Sequence, residues 1–192
     1  MSKPPITPSF AIATLVGGAI LISASAQGSG SLREAYADAF KVGVAVNEQI
    51  VSGEAQQARE IVAAQFNAIT AENVMKAEEV NPEPGVYTFD AADAFVEFGE
   101  KHDMFMIGHT LIWHNQTPSW FFHDKNGNPN APKAQAERLR QHIETVAGRY
   151  AGRLHAWDVV NEVIDNDGSY RPTTWVNSIG SGDELVRLAF KY

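Results

Sequence analysis

Apolar positions along the chain follow two alternating spacings. Short runs rich in β-branched and aromatic residues predict four strands: Lys41–Val46, Phe66–Thr70, Met104–Gly108 and Leu154–Val160. Stretches with helical spacing follow each run, and they predict helices over Ala55–Ala64 and from Asp90, Pro132 and Asp183 onward. Four strand-then-helix units in succession favour an α/β fold with a parallel sheet and crossover helices.

Two of the predicted helices have a clear apolar side. Asp90 is expected to cap the first, whose apolar side is Ala91, Ala94, Phe95 and Phe98. Pro132 begins the second, which places on one side Leu139, Ile143, Val146 and Tyr150. Spacing alone leaves open a small four-stranded domain or the first half of a (β/α)8 barrel, which usually takes about 250 residues.

The N-terminal segment differs in kind from the rest of the chain. Residues 10–26, FAIATLVGGAILISASA, carry no charge and end in a small-x-small pattern that fits cleavage before Gln27. We expect a secretory signal at 1–26, a linker and lead-in segment at 27–39, and a catalytic domain at 40–192. The expected location is extracellular, with an N-terminal anchor as the alternative. The apolar part is shorter than the roughly 20 residues of a membrane span, so stable insertion is not expected after cleavage.

Composition and charge narrow the class of partner. The net charge is -8 and no basic cluster occurs, which argues against nucleic acid and favours a neutral substrate. The chain has no cysteine, so thiol catalysis, disulfides and thiolate metal sites are excluded.

Polar residues follow the predicted strands where each strand ends. The carboxyl ends of parallel strands meet at one face of a sheet, where ligands bind in α/β proteins. After the fourth strand come Asn161 and Glu162, preceded by Trp157, Val159 and Val160. Apolar surroundings favour the protonated carboxyl that a general acid needs, so Glu162 is a candidate acid. The Asn161 amide can both donate to and accept from a sugar hydroxyl.

Histidines and a tryptophan follow the third strand. His109 is expected to pair with Asp158, and Trp113 suits the apolar face of a sugar ring. A metal site using His109, His114 and His123 is disfavoured because the spacing is not that of a metal motif and aromatics intervene. We expect neither a metal nor a cofactor.

Three stretches together resemble glycoside hydrolase family 10, the retaining endo-β-1,4-xylanases. They are NAITAENVMKAEEVNPEPGVYTFDAAD (67–93), GHTLIWHNQTPSW (108–120) and WDVVNE (157–162). All three occur in the family's order and spacing, and the resemblance runs from about Phe40 to Tyr192. It implies a (β/α)8 barrel that hydrolyses xylan or xylo-oligosaccharides.

The resemblance also implies roles for individual residues. Glu162 matches the general acid/base, and Asn161 matches the partner of the 2-hydroxyl of the sugar being cleaved. The same comparison implies further substrate contacts. Lys76 and His109 match positions that contact that sugar, and Trp113 matches one that lines its subsite. Glu72 and Asn73 match positions that bind the next sugar toward the non-reducing end.

A retaining mechanism needs a second carboxylate about 5–5.5 Å from the acid/base. The family's nucleophile lies at the end of the seventh strand, and Glu72, Asp165 and Asp167 match no nucleophile motif. We therefore expect the first half of a barrel, about four β/α units ending in the fourth helix, that is inactive alone. The alternatives are another retaining (β/α)8 glycosidase, such as a cellulase or mannanase, and a non-catalytic sugar-binding protein.

Overall fold

Four parallel strands form one sheet in the computed structural model, which describes residues 30–192. The strands are β1 (Gly43–Val46), β2 (Ala68–Ala71), β3 (Phe105–Ile112) and β4 (Ala156–Val160), and they lie side by side in chain order. Each connection therefore carries the chain to the adjacent strand in the same direction. The predicted signal segment lies outside the described residues.

Helices connect the strands and cover the sheet. They are α1 (Leu32–Ala35), α2 (Glu48–Ser52), α3 (Gln56–Gln65), α4 (Ala77–Val80), α5 (Asp90–Lys101), α6 (Pro132–Arg149), α7 (Thr174–Ile179) and α8 (Gly182–Lys191), with a 3-10 helix at Ser119–Phe121. Helices α3, α5 and α6 are the crossovers between successive strands, and α8 follows β4. The predicted parallel sheet with crossover helices is confirmed. None of the helices in residues 30–192 combines the length and the apolar character that crossing a bilayer requires.

Helix α6 packs as its sequence predicts. Pro132 is its first residue, and Leu139, Ile143 and Val146 are all at most 3% exposed. At its end, the Tyr150 hydroxyl donates to Asp93 Oδ1 at 2.9 Å and Arg149 Nε donates to the same atom at 3.0 Å. These bonds tie the end of α6 to the first turn of α5.

The start and the buried side of α5 differ from the prediction. Phe89 occupies the capping position, and Asp90 is the first helical residue rather than the cap. Ala91 and Ala94 are only half-buried, because the helix packs through the neighbouring stripe of Ala92, Phe95, Val96, Phe98 and Gly99. Small residues in that stripe let α5 approach the sheet closely. A Cβ atom on Gly99 would lie 2.1 Å from Met106 Sδ of β3.

Strand β3 is longer than the prediction, which ended it at Gly108. It continues to Ile112, so His109 lies inside the strand rather than after it. Thr110, Leu111 and Ile112 are buried and sustain the strand beyond the polar histidine. His109 pairs in register with Asp158 of β4. This register places the two side chains on neighbouring strands, where they can meet.

Candidate active site

Glu162 lies just beyond β4, at the carboxyl edge of the sheet. Its backbone has a φ of 52°, a left-handed conformation that a glutamate rarely adopts. Two contacts hold the turn: Asn161 N donates to Ile112 O at 2.8 Å, and Arg171 Nε donates to Glu162 O at 3.1 Å. The Glu162 side chain is 48% exposed, so the apolar enclosure expected from its neighbours in the sequence is not found.

Lys76 is the centre of a compact polar cluster beside Glu162. Its ammonium donates to Asn73 Oδ1 at 2.8 Å and to Gln116 Oε1 at 2.7 Å, and it lies 4.5 Å from the centre of the Trp113 ring. Gln116 Nε2 also donates to Asn73 Oδ1, at 3.3 Å. The three side chains fix one another, and a rigid donor array of this kind suits the hydroxyl groups of a sugar.

The charge of Lys76 is set by two opposing effects. Burial lowers the pKa of its ammonium, while the nearby carboxylates of Glu72 and Glu162 act to raise it. Lys76 is only 7% exposed as a residue, and the two carboxylates together with its amide partners favour the charged form of its ammonium. Glu72, by contrast, is exposed, just past the end of β2. Lys76, which the family resemblance implies as a sugar contact, therefore interacts electrostatically with both Glu72 and Glu162.

His109 pairs with Asp158, as the sequence predicts. Its Nδ1 lies 2.9 Å from Asp158 Oδ2, with side-chain exposures of 21% for the histidine and 49% for the aspartate. A second bond links the same strands, since Thr110 Oγ1 donates to the Asp158 carbonyl at 2.6 Å. Asp158 thus orients the imidazole, and the Nε2 side of the ring remains for other contacts.

Trp113 and His114 lie between the Lys76 cluster and Glu162. The centre of the Trp113 ring is 6.4 Å from that of His109 and 5.7 Å from that of His114. His114 Nε2 lies 3.7 Å from Glu162 Oε2. Trp175 Nε1 donates to the Trp113 carbonyl at 3.1 Å and holds this segment in place. The predicted residues of strands β2, β3 and β4 therefore meet at one edge of the sheet.

Backbone strain is concentrated at this edge. Three non-glycine residues within 30–192 have a positive φ, and two of them, Gln116 at 46° and Glu162 at 52°, belong to the cluster. Each such conformation costs on the order of 1 kcal/mol and persists only where the surrounding contacts enforce it. Strained residues of this kind are typical of functional sites.

Two features of the site were not predicted from the sequence. Gln116 was not singled out, although it bridges Lys76 and Asn73, because its partners are 40 and 43 positions away. The contact between His114 and Glu162 was not foreseen either, since His114 was considered only as a metal ligand. His123 lies elsewhere, with Nδ1 2.8 Å from the Ser119 carbonyl. Within residues 30–192, no group of three or more acidic or histidine side chains is arranged to hold a metal ion.

Comparison with known proteins identifies the family. The family model of glycosyl hydrolase family 10 matches residues 31–192. The chain is 45% identical over 159 residues to endo-1,4-beta-xylanase B of Paenibacillus barcinonensis, covering 82% of this chain and 46% of that protein. It is 43% identical over 169 residues to an endo-1,4-beta-xylanase of Geobacillus stearothermophilus, covering 84% and 48%. The chain thus spans about half the length of the curated relatives it matches.

Solved structures agree with this result. A GH10 endoxylanase from a sugarcane soil metagenome superposes with a TM-score of 0.80 at 41% identity, over 84% of this chain and 46% of that one. An intracellular xylanase from Thermoanaerobacterium saccharolyticum superposes with a TM-score of 0.79 at 38% identity, over 86% and 53%. The chain belongs to glycosyl hydrolase family 10, and its four parallel β/α units cover part of that family's (β/α)8 barrel.

Proposed function

We propose that the protein is a retaining endo-1,4-β-xylanase that hydrolyses internal bonds of xylan, with Glu162 as its general acid/base. The observation that carries this proposal is the placement of Glu162. It is a half-exposed carboxylate in a strained turn at the carboxyl end of β4, beside the Lys76 cluster. The names of the relatives, which are xylanases at 40–45% identity, support xylan as the substrate.

The half-exposed carboxyl group of Glu162 can reach a bound substrate and transfer a proton in either direction. A protonated Glu162 would donate its proton to the glycosidic oxygen as the bond to the leaving sugar breaks. The resulting carboxylate would then take a proton from the water that attacks the glycosyl-enzyme intermediate. His114 Nε2 lies 3.7 Å from Glu162 Oε2, beside the carboxyl group that would carry this proton. The same residue thus serves as acid and then as base.

The surrounding side chains would hold the sugars. We assign the Asn161 amide to the 2-hydroxyl of the sugar being cleaved and Lys76 and His109 to other hydroxyls of that sugar. Trp113, 4.5 Å from the Lys76 ammonium, would pack against the ring. The sugar must lie on the open side of Glu162, because the cavity between Trp113, Glu162 and Trp175 holds only about 10 Å³.

Glu72 and Asn73 extend this surface toward the non-reducing end. Asn73 presents an amide already held by Lys76 and Gln116, so its orientation is fixed before a ligand arrives. Glu72 is exposed and can accept bonds from two hydroxyl groups. We assign both residues to the next sugar of the xylan chain.

A retaining mechanism also needs a nucleophile, and the two acids that follow Glu162 in the sequence have other partners. Asp165 lies 3.6 Å from Arg171 Nη2, and Asp167 accepts from Ser169 Oγ at 2.6 Å, so both acids near Glu162 in sequence serve their own loop. We propose that the nucleophile belongs to the part of the family's barrel that this chain does not cover. On this proposal the chain alone does not hydrolyse xylan, because Glu162 has no partner for the covalent route.

The deciding experiment uses a protein that includes the rest of the barrel. This longer protein should release many reducing ends from xylan and far fewer from carboxymethylcellulose or mannan. In the Glu162→Ala variant, turnover of xylan should collapse, while aryl xylosides with good leaving groups should still form the glycosyl-enzyme. Azide should then restore turnover, because it replaces the lost general base. Equal losses on both substrates without rescue by azide would contradict the role of Glu162.

The same protein separates the alternative functions. Preferred release from carboxymethylcellulose or mannan would indicate a cellulase or a mannanase. Binding of xylo-oligosaccharides without hydrolysis would indicate a sugar-binding protein. For the chain alone, hydrolysis of xylan that disappears in Glu162→Ala would show that its own residues include the nucleophile.

We also propose that the protein is secreted. The support is the sequence Ala24-Ser25-Ala26, which satisfies the small-residue rule for cleavage before Gln27. Expression in a host that secretes proteins should yield a released species beginning at Gln27. Released protein that begins at Met1 or Ser2 would contradict this location, and retention in the membrane would favour the anchored alternative.

A further inference from the structure

Two adjoining cavities lie apart from the Glu162 site. One holds about 620 Å³ and the other about 330 Å³, and they share Pro84, Trp120 and Arg138 in their walls. Neither shares a lining residue with the small cavity at Glu162. Cavities of this combined size can accept a sugar or a short oligosaccharide.

The shared wall is fixed in place by hydrogen bonds. Trp120 Nε1 donates to the Asn81 carbonyl at 3.2 Å, which anchors the indole to the segment after α4. Arg138 of α6 donates through Nη1 to the carbonyls of Trp120 and of His123, the latter at 2.7 Å. The guanidinium carbon of Arg138 lies 5.5 Å from the centre of the Trp120 ring. Arginine and indole are therefore ordered before any ligand arrives, which reduces the entropic cost of binding.

The larger cavity carries two cations. Arg138 and Lys125 both line it, and within residues 30–192 neither has a carboxylate oxygen within 4.0 Å. The acid in the same wall, Asp124, is committed to its own loop. Its Oδ1 accepts from the backbone N–H groups of Asn126 at 2.8 Å and Asn128 at 2.9 Å, and these bonds lower the pKa of the carboxyl. Two cations and one loop-bound carboxylate thus leave this wall with a net positive charge, in a chain whose net charge is -8.

We propose that these cavities bind a uronic acid unit carried by a xylan chain. The carboxylate would lie against Arg138 and Lys125, because a guanidinium and an ammonium are the usual partners of a carboxylate. The apolar face of the sugar ring would lie against the apolar wall of Trp120, Pro84 and Tyr87. The inference rests on the proposed function for the identity of the sugar chain. It adds a second contact with the polymer, selective for charged side groups and separate from Glu162.

The experiment compares two probes on the whole chain: xylotriose, and xylotriose bearing one glucuronic acid unit. Both are titrated by calorimetry at low salt, in the wild type and in Asn73→Ala. We expect Asn73→Ala to abolish the binding of xylotriose and to leave one site for the charged probe. Adding Lys125→Glu to that background should weaken the remaining site about tenfold, because the change replaces attraction by repulsion. Raising the salt concentration should weaken it as well.

Lys133→Glu is the matched control. It makes the same change of charge on an exposed residue that does not line the cavity, so it should leave the affinity for the charged probe unchanged. Lys125 is exposed, so its replacement removes no buried contact.

The outcomes separate the two proposals. If Asn73→Ala abolished the binding of both probes, the second site would be overturned and the proposed function would remain supported. Xylotriose binding that survives Asn73→Ala would contradict the proposed sugar site, while binding of the charged probe that is sensitive to Lys125→Glu would still support the second site. The second site would be overturned if Lys125→Glu and Lys133→Glu weakened binding of the charged probe equally, or if neither change weakened it.

Discussion

The imidazole of His109 and the carboxylate of Asp158 meet across β3 and β4, with Nδ1 2.9 Å from Oδ2. The pair joins residues 49 positions apart, and it lies at the edge of the sheet where Lys76, Trp113 and Glu162 converge. The aspartate keeps Nδ1 engaged, so the Nε2 side of the ring is the one that can meet a ligand.

The first prediction concerns this pair. In Asp158→Ala, His109 loses the acceptor that orients it, so binding of xylotriose should weaken about fivefold, corresponding to one hydrogen bond of roughly 1 kcal/mol. Calorimetric titration measures the change. Asp38→Asn, on an exposed residue near the N-terminus of the described chain, should bind as the wild type does. An unchanged affinity in Asp158→Ala would mean that His109 does not contact the sugar.

The second prediction concerns Asp93 and Tyr150. The Tyr150 residue is 1% exposed, and its hydroxyl donates to Asp93 Oδ1 at 2.9 Å. Asp93→Ala leaves that hydroxyl without its acceptor and should lower the free energy of unfolding by about 1–3 kcal/mol. Tyr150→Phe removes the hydroxyl itself and should cost less. Denaturant unfolding of both single variants and the double variant should give a favourable coupling of about 1 kcal/mol. Simple additivity would show that the bond contributes nothing to stability.

The third prediction concerns acid and His142. This side chain of α6 is buried against Phe121, with ring centres 5.2 Å apart, and burial lowers the pKa of its imidazole to about 4 from 6.5, opposed by the backbone of Leu111. Between these two values the unfolded chain binds a proton that the folded chain does not. Stability should therefore fall as the pH drops from about 6.5 toward 4, by about 3 kcal/mol from this group.

His142→Leu tests this expectation because leucine has no proton to bind. Its unfolding free energy should fall less steeply than that of the wild type over the same range of pH. Leucine fits the site of the imidazole less well, so the wild type should be the more stable protein above pH 6.5. The two curves of unfolding free energy against pH should then converge toward pH 4. Parallel curves at all pH values would show that His142 does not contribute to acid sensitivity.

The fourth prediction uses two helical glycines as a matched pair. Gly99 in α5 faces β3, and an added Cβ would lie 2.1 Å from Met106 Sδ and 3.2 Å from Ile69 Cδ1. Gly148 in α6 has no atom within 4 Å of that position. Gly148→Ala should stabilise the protein by about 0.5–1 kcal/mol, since alanine favours the helix. Gly99→Ala should destabilise it by about 1–3 kcal/mol, because α5 must move away from the sheet. Thermal unfolding should therefore give shifts of opposite sign.

The spacing of apolar residues in the sequence was sufficient to predict the order and the parallel direction of the strands. Alternating strand and helix spacing specifies a parallel sheet because a crossover helix can only return the chain in the same direction. It was not sufficient for the end of β3, since His109 looks like the first polar residue after a strand. The pairing of His109 with Asp158 keeps that residue inside the sheet. The partner of His109 was predicted, but the polar residue concealed that Thr110, Leu111 and Ile112 continue the strand.

The chemistry of the site was predictable where it depended on residue type, and not where it depended on backbone conformation. Trp113 and Glu162 were identified from their positions after strands, and Asn73 and Lys76 from the family resemblance. Gln116 was not, because its contact with Lys76 requires a left-handed residue in an irregular loop. The exposure of Glu162 was predicted wrongly, since apolar neighbours in the sequence do not enclose a side chain that follows the end of a strand.

That left-handed backbone at Glu162 also affects how the protein can be engineered. Glycine adopts a φ of 52° without penalty, so Glu162→Gly should be more stable than the wild type, whereas Glu162→Ala should not be. A design procedure that maximised stability on this backbone would choose glycine at position 162 and would remove the proposed acid/base in its first step. Thermostable versions of this protein should therefore be sought with position 162 held fixed, together with Gln116, whose backbone is strained in the same way.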